Sequence, residues 1–168
     1  MSYHAKTLLY VYSGIEEAID IIDEMVYRKA MGSFADTSPC EKQAENILQL
    51  ISDKDELIFL KTKMEEVLSE FSETERLHFE YKYFNNKPKE YYKDINTSAR
   101  AYFRTQHKLL SELEKKLALK GVTEEYFFSN LYNIPFVKSC YHCVVHSEDT
   151  KKTARTDTLK KLQLAESK

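Results

Sequence analysis

An all-α fold is predicted for this chain of 168 residues from three observations. Glycine and proline number only three each, which leaves few places for strands to turn. Glu, Lys, Leu, Ala and Ile fill nearly half of the first 120 positions, and most of these are good helix formers. Apolar residues recur three and four apart, the period of a helix with one buried side. The length suffices for one ordinary core, or for two small helical modules that share one.

Ser13 and Gly14 precede an apolar stripe of Ile15, Ala18, Ile19, Ile22, Val26 and Ala30 that stops at Gly32, which defines a first amphipathic helix. Asp36 to Pro39 is a polar break, with Ser38 as N-cap and Pro39 at the first helical position of a second helix. That helix places Ala44, Ile47, Leu48 and Ile51 on one face. Ser52 with Asp55, or Asp53 with Glu56, caps a third segment carrying Leu57, Leu60, Met64, Val67 and Leu68, unless the second and third are one continuous helix. Either way, Gly14 to Glu70 is expected to form a helical hairpin.

Ser72 with Glu75 has the spacing of a capping box, ahead of a helix whose apolar side is Leu77, Phe79, Tyr83 and Phe84. Asn85 and Asn86 end it. Pro88 suits the first turn of a very short helix through Tyr91 and Tyr92 to Asp94, and Asn96 tolerates the backbone of an abrupt turn. Thr97 or Ser98 then caps a long helix with Tyr102, Leu109, Leu110, Leu113 and Leu117 inward, closed by Gly121 at the position after the helix end. Thr123 starts a short helix holding Tyr126, Phe127 and Leu131 that ends near Pro135. Phe136 to His146 fits helix or strand, and the residues from Ser147 onward are polar until Leu159, Leu162 and Leu164. The expected organisation is therefore an acidic helical hairpin over 1–71, a helix-turn-helix module over 72–121, a C-terminal packing segment over 122–146 and a disordered tail over 147–168.

The net charge of −2 conceals a segregation. Met1 to Phe71 holds 7 Lys and Arg against 14 Asp and Glu, whereas Asn86 to Gly121 holds 9 against 4. A positive field confined to one module is what phosphate binding requires, and solvated helix surfaces of differing sign are the plain alternative. Within the basic module Arg100, Arg104 and Lys108 lie four apart, so they project from one face of the long helix, opposite its leucines. Such a face fits a major groove: arginine forks bond guanine O6 and N7 in pairs, while Lys87, Lys89 and Lys108 suit phosphates. Thr97 or Ser98 at the helix N-terminus can donate to a phosphate oxygen.

At Glu75-Arg76-Leu77, Lys82-Tyr83-Phe84 and the ungapped block Pro88 to Leu110, the chain resembles region 4 of the sigma-70 family. It is most similar in kind to the sigma-region-4-like regulators of Gram-positive bacteria and their phages. Glu75-Arg76, Lys82-Tyr83, Glu90-Tyr91, Asn96, Ser98, Arg100, Arg104 and Leu109-Leu110 stand where the family pattern asks for them. Tyr92 stands where the family has Ala or Gly, Lys82 replaces the usual Arg, and no promoter-melting aromatic region precedes Phe71. The resemblance implies a helix-turn-helix reading duplex DNA with the helix that begins at Ser98, a contact with RNA polymerase, and no self-sufficient sigma factor.

Cys140, Cys143 and His146 are the weak metal candidates, because thiolate and imidazole are usual zinc ligands. A structural site draws four ligands from two separated pairs, and no second pair occurs, so the expectation is no metal, no cofactor and cysteines buried with Val137, Tyr141 and Val144. Glu16-Glu17, Asp23-Glu24 and Glu65-Glu66 occupy polar helix positions rather than the apolar pockets of catalytic acids. No phosphate-cradling glycine loop, nucleophile elbow or His-Glu-x-x-His occurs, so an enzyme is not expected. Three cysteines at uneven spacing, no apolar run of about 18 residues and no leader pattern suggest a cytoplasmic protein with no membrane partner. Two functional readings stand: a DNA-binding transcriptional regulator with RNA polymerase as partner, or a helical protein–protein interaction module that keeps the fold without reading DNA. The oligomeric state is left open.

Overall fold

The computed structural model describes residues 2–32, 37–84 and 98–147. Every regular element among them is helical. In chain order these are α1 (Tyr3–Ser13), α2 (Ile15–Gly32), α3 (Cys40–Ser69), α4 (Glu73–Phe79), α5 (Ala99–Leu119), the single turn α6 (Glu124–Tyr126) and α7 (residues 135–147). Two wider π-helical turns, Glu80–Phe84 and Phe127–Leu131, extend α4 and α6. None of the helices among the described residues is long and apolar enough to cross a membrane.

The helix at the centre is α1, which touches α2, α3, α5 and the Glu80–Phe84 turn. Ser2 caps it by accepting from the Ala5 backbone N–H, and seven of its residues are buried: His4, Ala5, Lys6, Thr7, Leu8, Leu9 and Val11. Burial on all sides requires its polar groups to find partners. Thr7 Oγ1 donates to the Tyr3 carbonyl at 2.8 Å, and the His4 ring lies 3.5 Å from Glu114 of α5 and 3.7 Å from Glu124 of α6. The first apolar stripe visible in the sequence begins at Ile15 and no element is expected before it, because a helix without a polar face lacks the signature that periodicity detects.

α1 and α2 meet at Gly14, where an added Cβ would stand 3.1 Å from the Phe136 ring, so the close approach of α7 is what a side chain would disturb. α2 and α3 lie side by side and run antiparallel, as their ion pairs show: Lys61 with Glu16 at 2.7 Å and Lys54 with Asp23 at 2.5 Å. The second and third helical segments are one continuous helix of 30 residues. It starts at Cys40 with Pro39 as N-cap and no side-chain cap, so Ser38 does not play the capping role expected of it. Ala44, Leu48 and Ile51 also depart from expectation: they face solvent, and Leu50 packs on the core instead. Unbroken from Cys40, the helix keeps one register, and Leu50 lies seven residues, two turns, before the buried Leu57.

The Ser72–Glu75 capping box forms in both directions, and Phe79 and Tyr83 enter the core beyond it. α5 buries Tyr102, Leu109, Leu110, Leu113 and Leu117, the residues its spacing assigns inward. Gly121 follows with φ of +90°, a left-handed backbone in which any side chain is strained. Thr123 caps α6, and the Tyr126 hydroxyl and Asn130 amide both reach Glu56 of α3. The segment that fitted helix or strand equally is α7, whose Val137 and Val144 are buried two turns apart. One contiguous core runs from Ala5 to Val137 and draws on every helix named above except α6, whose Tyr126 packs against it. The very short helix and turn expected over 88–97, and the tail expected from Ser147 onward, lie outside the described residues except Ser147 itself, which ends α7.

Candidate nucleic-acid interface

The candidate surface is built on α5, and its attachment to the core decides what it offers to solvent. Ser98 opens the helix in an extended backbone conformation and accepts from the Ala101 N–H at 3.3 Å. The first turn of α5 contains no acidic residue, so the partial positive charge at its N-terminus is not cancelled within the helix. On the inner side Gln106 Nε2 donates to the His78 carbonyl at 3.1 Å in a buried position, and the Tyr102 ring lies tilted against His78 and meets Tyr81 edge-on. Burial pushes the His78 imidazole below its ordinary value, favouring the neutral ring at the α4–α5 contact.

At the other end Lys116 Nζ donates to Glu70 at 2.8 Å, while Lys120 lies 3.4 Å from Glu70 and 3.6 Å from Glu66. The hydrogen bond from Lys116 holds the Glu70 carboxyl below the usual carboxylate range, and that from Lys63 does the same for Glu66. α5 is therefore pinned at both ends with one face outward. Arg100, Arg104 and Lys108 all lie on that face, exposed, and none makes a hydrogen bond or ion pair with another described residue. Lys108 does feel the field of Glu75, whose carboxyl is held low first by its bonds to Ser72 and only weakly by Lys108.

The exposed strip is longer than the sequence reading made it. His107 and Lys115 are exposed on the same side, three residues after Arg104 and seven after Lys108, as is Phe103 at 58 % exposure. A step of one heptad from Lys108 would have reached Lys115. Lys87, Lys89 and Thr97, the remaining expected DNA contacts, lie outside the described residues.

No protein-family model matches this chain, and no curated protein or solved structure is significantly similar to it.

The cysteines are not brought together as a ligand set. Cys140 is half-buried, with burial and then the neighbouring Cys143 pushing its thiol up, whereas Cys143 and His146 are exposed. The expectation that both cysteines are buried is thus corrected for Cys143: one turn along α7, it falls on the outward side while Val144 turns in. Among the described residues no group of three or more His, Cys, Asp or Glu is placed to hold a metal ion. Glu16, Glu17, Asp23, Glu24 and Glu65 are exposed, and Glu66 is half-buried.

Proposed function

We propose that this protein is a DNA-binding transcriptional regulator of the bacterial cytoplasm, similar in design to sigma region 4, which lays α5 in the major groove. The observation that carries the reading is the free basic face of α5: Arg100 and Arg104 are exposed and unpaired among the described residues, on a helix fixed at both ends. An α-helix is about 10–12 Å across and the major groove about 12 Å wide, so the first turns fit with the arginines toward base edges. Lys108, Lys115, Lys87 and Lys89 serve the phosphates, and Ser98 or Thr97 at the helix start adds a neutral donor. RNA polymerase is the partner that the likeness to sigma region 4 brings with it.

A second reading, a helical protein–protein interaction module, draws on a different surface of the molecule. There an open apolar groove of about 460 Å³ lies between α2, α3 and the start of α7, with Ile21, Met25 and Phe136 along it and Glu17 and Asp53 at its rim. Its chemistry fits a basic segment with an apolar face.

Fluorescence anisotropy of a random duplex pool at low and moderate salt separates the two. Salt-sensitive binding that is lost in the R100A/R104A double variant is the outcome expected of the regulator. Absence of binding at low salt removes that reading and leaves the interaction module.

A further inference from the structure

We propose that Phe103 is a specificity-determining residue that packs on the C5-methyl group of a thymine. The DNA read by α5 would then hold a thymine within about two base pairs of a guanine, since Arg100 and Phe103 are separated by about 4.5 Å along the helix and stacked bases by about 3.4 Å. This inference rests on the assignment of α5 as a DNA-reading helix.

Two neighbouring aromatic residues of α5 are treated in opposite ways. Tyr102 is 6 % exposed and belongs to the inner face, whereas Phe103 is 58 % exposed and touches Tyr102 edge-on, with ring centroids 5.6 Å apart. Its outer ring surface faces water. Phe103 follows Arg100 by three residues and directly precedes Arg104, so it lies within the first two turns, about 60° round the helix from Arg100. The only other large apolar residue so exposed on α5 is Leu119, at the last position of the helix.

A groove floor offers hydrogen-bonding groups at nearly every base edge, and the thymine methyl is its apolar feature in the major groove. The arginines flanking Phe103 suit the former and Phe103 the latter. Its ring is rigid and short, so it loses little freedom on contact and cannot withdraw into the core already filled by Tyr102 and Leu110. Cytosine presents the same position without the methyl, so the contact discriminates between the two pyrimidines.

The test uses the intact protein and a duplex it selects from a random pool, with each thymine replaced in turn by deoxyuracil, which deletes only the methyl group. Wild-type affinity should fall about three- to fivefold at one thymine near a guanine, the effect of burying one methyl-sized apolar group. Phe103→Ala should bind the parent duplex weaker by the same factor, be indifferent to that uracil, and keep its dependence on the guanine. A wild type indifferent to uracil everywhere, or an F103A variant with undiminished uracil sensitivity, overturns this inference while leaving the DNA-reading assignment in place. Failure to bind any duplex at low salt overturns both.

Discussion

The two ends of α5 carry the same motif with opposite fates. Near its start Arg100 and Arg104 stand four residues apart and face solvent without partners among the described residues; Lys116 and, just past its end, Lys120 stand four apart and face Glu70 and Glu66. Spacing alone therefore says only that two cations share a face. What decides their role is whether the neighbouring helix answers with carboxylates, and α3 does so at one end only. The paired end holds the helix in place, and the unpaired end is left to meet something outside the chain.

The strongest way to break this contrast is to remove the floor beneath both ends. Leu113 is fully buried between them, and Leu113→Ala should destabilise the fold by about 2–5 kcal/mol in urea unfolding, since its cavity cannot fully collapse. A loss below about 1 kcal/mol would mean that α5 is not seated as described. Next in size, R100A/R104A should lose about 1–3 kcal/mol of base discrimination per arginine while its thermal midpoint stays within a degree or so of wild type. A lowered midpoint would show that the arginines serve the fold after all. Ser98→Ala removes the acceptor for the Ala101 N–H and should cost about 1 kcal/mol of stability. An unchanged unfolding midpoint in urea would show that the cap is dispensable.

The lysine end should respond in the mirror-image manner. K116A/K120A is expected to lower the thermal midpoint slightly, by an amount that added salt erases, with DNA affinity unaltered beyond the loss of general charge. The smallest effect is the most diagnostic of the pairing. Glu66 and Glu70 are held below their ordinary value of 4.5 in the folded chain, so the unfolded chain binds protons first as pH falls. Their contribution is present in full above that value and is lost as pH drops through the lower folded values. Acid titration of stability should be shallower in K116A/K120A than in wild type between about pH 5 and 3, and parallel curves would argue against the pairing.

Much of this architecture could be read in advance where a helix has one wet and one dry side. α5 announced its inner residues and its glycine stop, and narrowed its cap to Thr97 or Ser98, because leucines at three- and four-residue steps alternate with charge. α1 did not, since Lys6, His4 and Thr7 are buried along with its leucines and no stripe distinguishes one side. The first half of α3 misled for the opposite reason: Leu48 and Ile51 form a stripe as convincing as a core face, yet they look outward while Leu50 looks in. Stepping back by sevens from Leu57 would have found Leu50, had the helix been taken as unbroken. At the candidate site, the spacing of Arg100, Arg104 and Lys108 showed a shared face, but their lack of partners depends on where α3 and α4 lie, which no local pattern encodes.

The central position of α1 also sets an order of events during synthesis. Leu8 and Leu9 leave the ribosome well before one wall of their burial site, α5, which is translated about 90 residues later. Until then the apolar helix waits without its cover, the situation in which nascent chains engage chaperones or one another. Contacts this distant in sequence also slow the final collapse relative to a bundle of neighbouring helices. A fragment that stops before Ser98 would keep α1, α2, α3 and α4 but lack α5, which covers one side of α1 and α3.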